Sequence, residues 1–197
     1  SFVFESETSA HFQYYFFNVI LACALILFGE KYFSRLTGLL SAILFFSLPI
    51  VTNIKSAGYV EIALLLVTFT ALWSLWIGIF GAQKNAFSWF VLSGSLLGLA
   101  CGVKYYGLIS LLIVSALLGW ASIRDGLKKI KIRNLVYFSI SVCIFASPFY
   151  IKNYLFTGNP FFPAFFDLFN GTDWSMERNS LFKLMALTHK MPLGHGL

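Results

Sequence analysis

Residues 61–104 read EIALLLVTFTALWSLWIGIFGAQKNAFSWFVLSGSLLGLACGVK. The only charges in this stretch are Glu61, Lys84 and Lys104, and they enclose charge-free runs of 22 and 19 residues. An α-helix rises 1.5 Å per residue, so about 20 apolar residues cross the roughly 30 Å hydrocarbon core of a bilayer. Each run has the length of one crossing. Both are continuously apolar rather than alternating, and both are too long for membrane strands, so helices are predicted.

The same punctuation continues on either side. Charge-free runs of 22, 19, 19 and 18 residues separate Glu7 from Glu30, Arg35 from Lys55, Lys104 from Arg124 and Arg133 from Lys152. Six spans result, approximately 11–28, 36–51, 59–80, 86–103, 105–123 and 135–151, lettered A to F. The fold class is all-α, a polytopic transmembrane helix bundle. Span B is the shortest and ends near Pro49. Composition agrees: 58% of the 197 residues are hydrophobic and 11% charged, against about 45–50% and about 25% in soluble domains. That balance excludes a water-soluble globule, and equally a disordered or collagen-like chain. Residues 1–10 are assigned to an external loop remnant, 11–151 to the six-helix bundle and 152–197 to an external interfacial segment.

Orientation follows from the loops. The A–B, C–D and E–F connections carry eight basic residues (Lys31, Arg35, Lys84, Arg124, Lys128, Lys129, Lys131 and Arg133), whereas B–C and D–E carry only Lys55 and Lys104. The positive-inside rule puts the first set in the cytoplasm. The net charge of +6 is thereby explained by membrane orientation, and no nucleic-acid partner is implied. Tyr59, Tyr105, Tyr106, Tyr150 and Tyr154 fall near the outer boundary; Trp76, Trp120 and Tyr137 fall near the inner one, as in aromatic belts.

Soluble-enzyme signatures such as G-x-G-x-x-G, Walker A, G-x-S-x-G and H-E-x-x-H do not occur. Cys23, Cys101 and Cys143 lie far apart inside apolar runs, and His11, His189 and His195 lack ligand spacing, so no metal ligands are assigned. Gly94, Gly98 and Gly102 repeat at every fourth position in span D. This spacing lines one helix face with small residues and predicts close helix packing, with a lipid-filled groove as the alternative.

The outer boundary gathers the polar groups. Glu61 opens span C, where a carboxylate either complements the helix dipole or, being at membrane depth, serves a function. Lys104 is followed by Tyr105, Tyr106 and Gly107, and is either a snorkelling anchor or a cation that holds a phosphate. Lys152 and Asn153 repeat the theme after span F. The segment Thr157-Gly158-Asn159-Pro160-Phe161-Phe162-Pro163 is expected to lie on the outer surface, and Ser175 is the N-cap of a short helix beyond it.

Three stretches resemble bacterial membrane glycosyltransferases of the GT-C superfamily, which includes dolichyl-phosphate-mannose protein mannosyltransferases and the aminoarabinose transferase of lipid A. Residues 56–64 resemble the family's A-Y-V-D-L-A-L segment. Residues 94–107 resemble G-L-x-x-G-L-A-x-x-x-K-Y-x-G. Residues 148–163 resemble P-W-Y-x-R-N-Y-x-x-T-G-N-P-x-x-P.

The resemblance implies that A to F are helices two to seven of a seven-helix module. The first helix and first external loop, with the principal catalytic aspartate, would precede Ser1, leaving this fragment inactive by itself. The accessory acidic position falls on Glu61, where the family more often has Asp. The phosphate-binding lysine falls on Lys104, and Lys152 takes a position that is often Arg. Tyr59, Tyr105 and Asn153 would line the site. The implied activity is transfer of a sugar from a polyprenyl-phosphate donor to a glycan, lipid or protein acceptor. It would take place on the outer face of a membrane, expected to be the bacterial inner membrane. A divalent metal is optional. A transporter or lipid flippase is the alternative; the lack of an internal repeat and of a charge deep within a span counts against it.

Overall fold

The computed structural model describes residues 7–49, 51, 60–81, 85–124, 130–172 and 175–187. The described residues are helical, without strands. The helices are α1 (Glu7–Tyr32), α2 (Arg35–Ser47), α3 (Glu61–Phe80), α4 (Ala86–Val103), α5 (Tyr106–Arg124), α6 (Ile132–Thr157), α7 (Phe166–Phe169) and α8 (Met176–Leu187). Phe12–Tyr32 of α1 and the whole of α3, α4 and α6 are long and apolar enough to cross a membrane.

Span B comes out shorter than expected, apolar over Arg35–Ser47, whereas span E is matched by α5 over Tyr106–Arg124. With 13 residues, α2 is about 20 Å long, well under the hydrocarbon thickness. It stops because Leu48 precedes Pro49, and the proline ring disfavours the helical region for its predecessor. Leu48 accordingly takes an extended conformation (φ −67°, ψ 125°).

The chain forms two compact units, Ser1–Ala146 and Ser147–Leu197. The division falls within α6, next to Pro148, which lacks the N–H of a normal helical residue.

In the first unit α3 is central. Its Ile62 and Leu66 pack with Tyr14, Leu21 and Ala24 of α1 and with Val51. Its Ala71 and Leu75 pack with Phe90 and Leu97 of α4, Val114 and Leu118 of α5, and Phe138 and Val142 of α6. Hydrogen bonds and close contacts between helices fix the directions. Ser93 Oγ of α4 donates to the Ala71 carbonyl at 2.8 Å, while Gly78 lies against the Phe90 ring, so α3 and α4 are antiparallel. Trp73 Nε1 donates to the Tyr32 hydroxyl at 3.3 Å, and α1 runs parallel to α3.

The glycine face of α4 meets α6. A Cβ on Gly94 would fall on the Phe138 carbonyl oxygen, and one on Gly98 would lie 2.6 Å from the Val142 carbonyl oxygen. These glycines pack helix against helix, as their spacing predicted.

The outside of this unit is as apolar as its interior. Leu40, Ile43 and Leu44 of α2, Leu112 and Ile113 of α5, and Ile140 and Ile144 of α6 are exposed. Such a continuous surface is unsuited to water but suits hydrocarbon, where van der Waals packing and internally satisfied backbones hold helices together. The chain is an integral membrane protein.

The second unit is built around Asn159, which is fully buried. Its Nδ2 donates to the Ala164 carbonyl at 2.9 Å, and its Oδ1 accepts from the Phe161 N–H at 2.9 Å. Gly158 reverses the chain at φ 75°, a conformation that glycine adopts without a Cβ penalty. Further along, Ser175 Oγ accepts from the Arg178 N–H at 3.2 Å. This is the N-cap expected for α8.

Substituting Gly94 by Leu should lower the thermal midpoint of the detergent-purified protein sharply, since overpacking against backbone costs about 1–3 kcal/mol or more. Gly119→Ala, at a position with open space around it, should leave the midpoint unchanged or raise it slightly. Equal midpoints for the two variants would refute the close contact between α4 and α6.

Candidate functional site

Glu61 is the first residue of α3, and Val60 before it supplies no side-chain cap. The leading N–H groups of a helix carry partial positive charge, which favours an acid there. Lys104 is the C-cap of α4, with extended backbone (φ −161°, ψ 153°). A cation at a helix C-terminus is favoured for the mirror reason. Because α3 and α4 are antiparallel, the two ends coincide. Lys104 Nζ donates to Glu61 Oε1, and the two side chains form an ion pair.

The chain reverses sharply beyond Lys104. The Gly107 N–H donates to the Lys104 carbonyl at 2.8 Å, and the Leu108 N–H to the Tyr105 carbonyl at 3.0 Å. A Cβ on Gly107 would fall on the Ala100 carbonyl, so this turn requires glycine. As α5 begins, it brings the Tyr106 ring beneath Lys104, with Nζ 5.5 Å from the ring centroid. That is cation–π range. Tyr105 lies between the two helices, in the turn that links them.

The Lys104 and Glu61 side chains are 38% and 34% exposed. Ion pairs this open contribute about 0–1 kcal/mol. The antiparallel packing of α3 and α4 rests on Phe90, Leu97 and the Ser93–Ala71 bond instead. The pair is therefore not needed to hold the helices. Its second carboxylate oxygen, Glu61 Oε2, is buried and has no hydrogen-bond partner among the described residues. A buried acceptor left unsatisfied costs roughly 1–3 kcal/mol.

Of the residues singled out from the sequence, Glu61, Lys104 and Tyr105 lie in the first unit. Lys152 and Asn153 belong to the second, and Tyr59 lies outside the described residues. Lys152 is exposed. Asn153 Nδ2 donates to the Pro160 carbonyl at 3.3 Å, a bond internal to the Thr157–Pro160 turn. Tyr106 was not singled out as site-lining. The Lys104-Tyr105-Tyr106 order alone does not tell which ring the ammonium will cover; the start of α5 decides that.

No group of three His, Cys, Asp or Glu side chains converges among the described residues. Glu61 by itself offers too few oxygens for a divalent cation, which takes about six or more ligands.

A family model for dolichyl-phosphate-mannose-protein mannosyltransferases matches residues 2–151. The match includes Glu61, Lys104 and both tyrosines, and stops one residue short of Lys152. No curated protein and no solved structure matches the chain. With most of its length inside the match, this membrane-embedded chain belongs to the dolichyl-phosphate-mannose-protein mannosyltransferase family, of the GT-C type of membrane glycosyltransferases.

Proposed function

We propose that this chain is part of a glycosyltransferase that takes its sugar from a polyprenyl phosphate and works at the membrane face where α3 begins and α4 ends. The observation that carries the proposal is the juxtaposition of Lys104 with Glu61 at one end of the bundle, inside the span of the family match. Sugar transfer from a lipid phosphate needs a cation for the departing phosphate and a carboxylate for the incoming hydroxyl. Both are present at that end.

The reaction is a displacement at the anomeric carbon. The acceptor oxygen forms the new bond to that carbon, and the bond from the carbon to the phosphate oxygen breaks. The bonding pair stays on the phosphate, while the acceptor proton passes to a general base. By resemblance to the family, that base is proposed to be an aspartate of the family's first external loop. Lys104 stabilises the charge that grows on the leaving phosphate. Glu61 orients the base or the acceptor, and Lys152 is a second candidate cation for the donor phosphate. The site faces outward in this reading, which the basic bias of the opposite loops supports; in a bacterium this is the periplasmic side of the inner membrane.

In the full-length protein, Lys104→Met should weaken donor binding about tenfold or more, because charge-assisted bonds to phosphate are roughly twice as strong as neutral ones. Titration with a polyprenyl phosphate sugar measures this, and unchanged affinity would make Lys104 a membrane anchor only. Glu61→Gln keeps the size and removes the charge. It should lower turnover by about two orders of magnitude or more with little change in thermal midpoint. Near wild-type turnover would reduce Glu61 to a partner of the helix dipole.

Sidedness is tested with single cysteines in a background lacking Cys23, Cys101 and Cys143. A cysteine replacing Thr172 should react with an impermeant reagent on intact cells, and one replacing Ser34 should react only after lysis. The reverse pattern would put the proposed site on the cytoplasmic side.

A further inference from the structure

In this structure the cation assigned to the donor phosphate already holds an anion of its own. Lys104 Nζ is hydrogen-bonded to Glu61 Oε1 and also lies over the Tyr106 ring. An ammonium group has three donors, but its attraction for a phosphate is reduced by a carboxylate already in contact with it. Glu61 is also only partly engaged. Oε1 meets Lys104, and Oε2 is buried without a hydrogen-bond partner among the described residues.

We infer that Glu61 is the resident counter-ion of the phosphate site: Lys104 exchanges Glu61 for the lipid phosphate when the donor binds, and the exchange frees the Glu61 carboxylate to receive the acceptor. The inference rests on the assignment of Lys104 to the donor phosphate and adds an order of events to it. Before the donor arrives, cation and carboxylate neutralise each other at the rim of the bundle, where both side chains are about one-third exposed. This openness makes the exchange feasible, since a pair reached by solvent is held weakly.

Once Lys104 turns to the phosphate, Glu61 has two oxygens to offer to a hydroxyl. It remains at the N-terminus of α3, where the helix dipole holds its charge in place. The carboxylate thus comes into play only in the donor-loaded state. The product favours the exchanged arrangement further. A polyprenyl phosphate monoester carries about −1.5 to −2 charges near neutral pH, more than the diester of the donor, so Lys104 is drawn most strongly to phosphate after the sugar has left. When the product departs, Glu61 recaptures the lysine.

The exchange makes an unusual demand of Glu61→Gln: lower turnover together with tighter phosphate binding. Farnesyl phosphate serves as a short polyprenyl phosphate probe, titrated into the full-length protein, with inorganic phosphate titrated in parallel. The dissociation constant for farnesyl phosphate should fall about two- to fivefold in Glu61→Gln, the removal of one exposed competing ion pair. Inorganic phosphate should show the same direction of change if the headgroup alone drives the exchange. If only farnesyl phosphate responds, the lipid tail is needed to bring the phosphate to Lys104. In a Lys104→Met background, Glu61→Gln should produce no such gain.

Unchanged or weaker farnesyl phosphate binding in Glu61→Gln overturns the exchange, even where Lys104→Met shows that the lysine binds phosphate. A gain that persists in the Lys104→Met background also overturns it, because Glu61 would then act by plain repulsion. Undiminished binding in Lys104→Met alone would instead remove the underlying assignment of the site. Should Glu61→Gln lower the thermal midpoint enough to blur the titration, Glu61→Asp replaces it. Its carboxylate is one methylene shorter and holds Lys104 less closely, so it should give a smaller gain in the same direction, and no gain would count against the exchange.

Discussion

The thickness of the bilayer is the constraint on which the rest depends. Charged side chains are costly within the hydrocarbon core, so they collect where helices begin and end. In this chain the apolar runs of α3 and α4 are 20 and 18 residues long, with Glu61 at the start of one and Lys104 at the end of the other. Antiparallel packing then brings the two charges together from 43 positions apart in sequence. The contact follows from the length of two apolar runs and their opposite directions, and each charge also suits the dipole of its own helix end. The ion pair lies at the rim of a bundle whose stability comes from elsewhere, from Phe90, Leu97 and the bonds and close backbones around them.

Much of this was legible in the sequence because charge spacing reports membrane crossings directly. The span expected over 86–103 coincides with α4, and the glycine repeat within it marked the face that meets α6. Span B was overestimated. Counting apolar residues does not register that Leu48 must leave the helical region before Pro49, so α2 ends at Ser47. Span F was underestimated, since α6 continues past Lys152 to Thr157 and includes Pro148; a charge interrupts an apolar run without interrupting a helix.

Glu61 and Lys104 stood out individually, each as a lone charge at a helix boundary. Their contact did not, because a sequence shows which helix ends share a face only once directions and neighbours are known. The Thr157-Gly158-Asn159-Pro160 stretch is a related case. In the structure it builds a turn. Thr157 Oγ1 donates to the Asn153 carbonyl at 2.8 Å and accepts from the Asn159 N–H at 3.2 Å, while Asn159 ties the turn to Ala164. Polar residues that look like site lining in a sequence can be occupied in satisfying backbone, as Asn153 is through Pro160.

If Glu61 and Lys104 act chemically as proposed, each is needed in its own place and the two are not an interchangeable structural pair. Exchanging the two residues, Glu61→Lys together with Lys104→Glu, tests it most directly. The exchange preserves opposite charges at the same contact and reverses which helix carries each. Turnover and polyprenyl phosphate binding would be measured on the full-length protein, next to its thermal midpoint. The midpoint should stay close to that of the wild type, while phosphate binding and turnover are lost. A swapped protein that retains turnover and binds the phosphate as before would contradict the proposed roles.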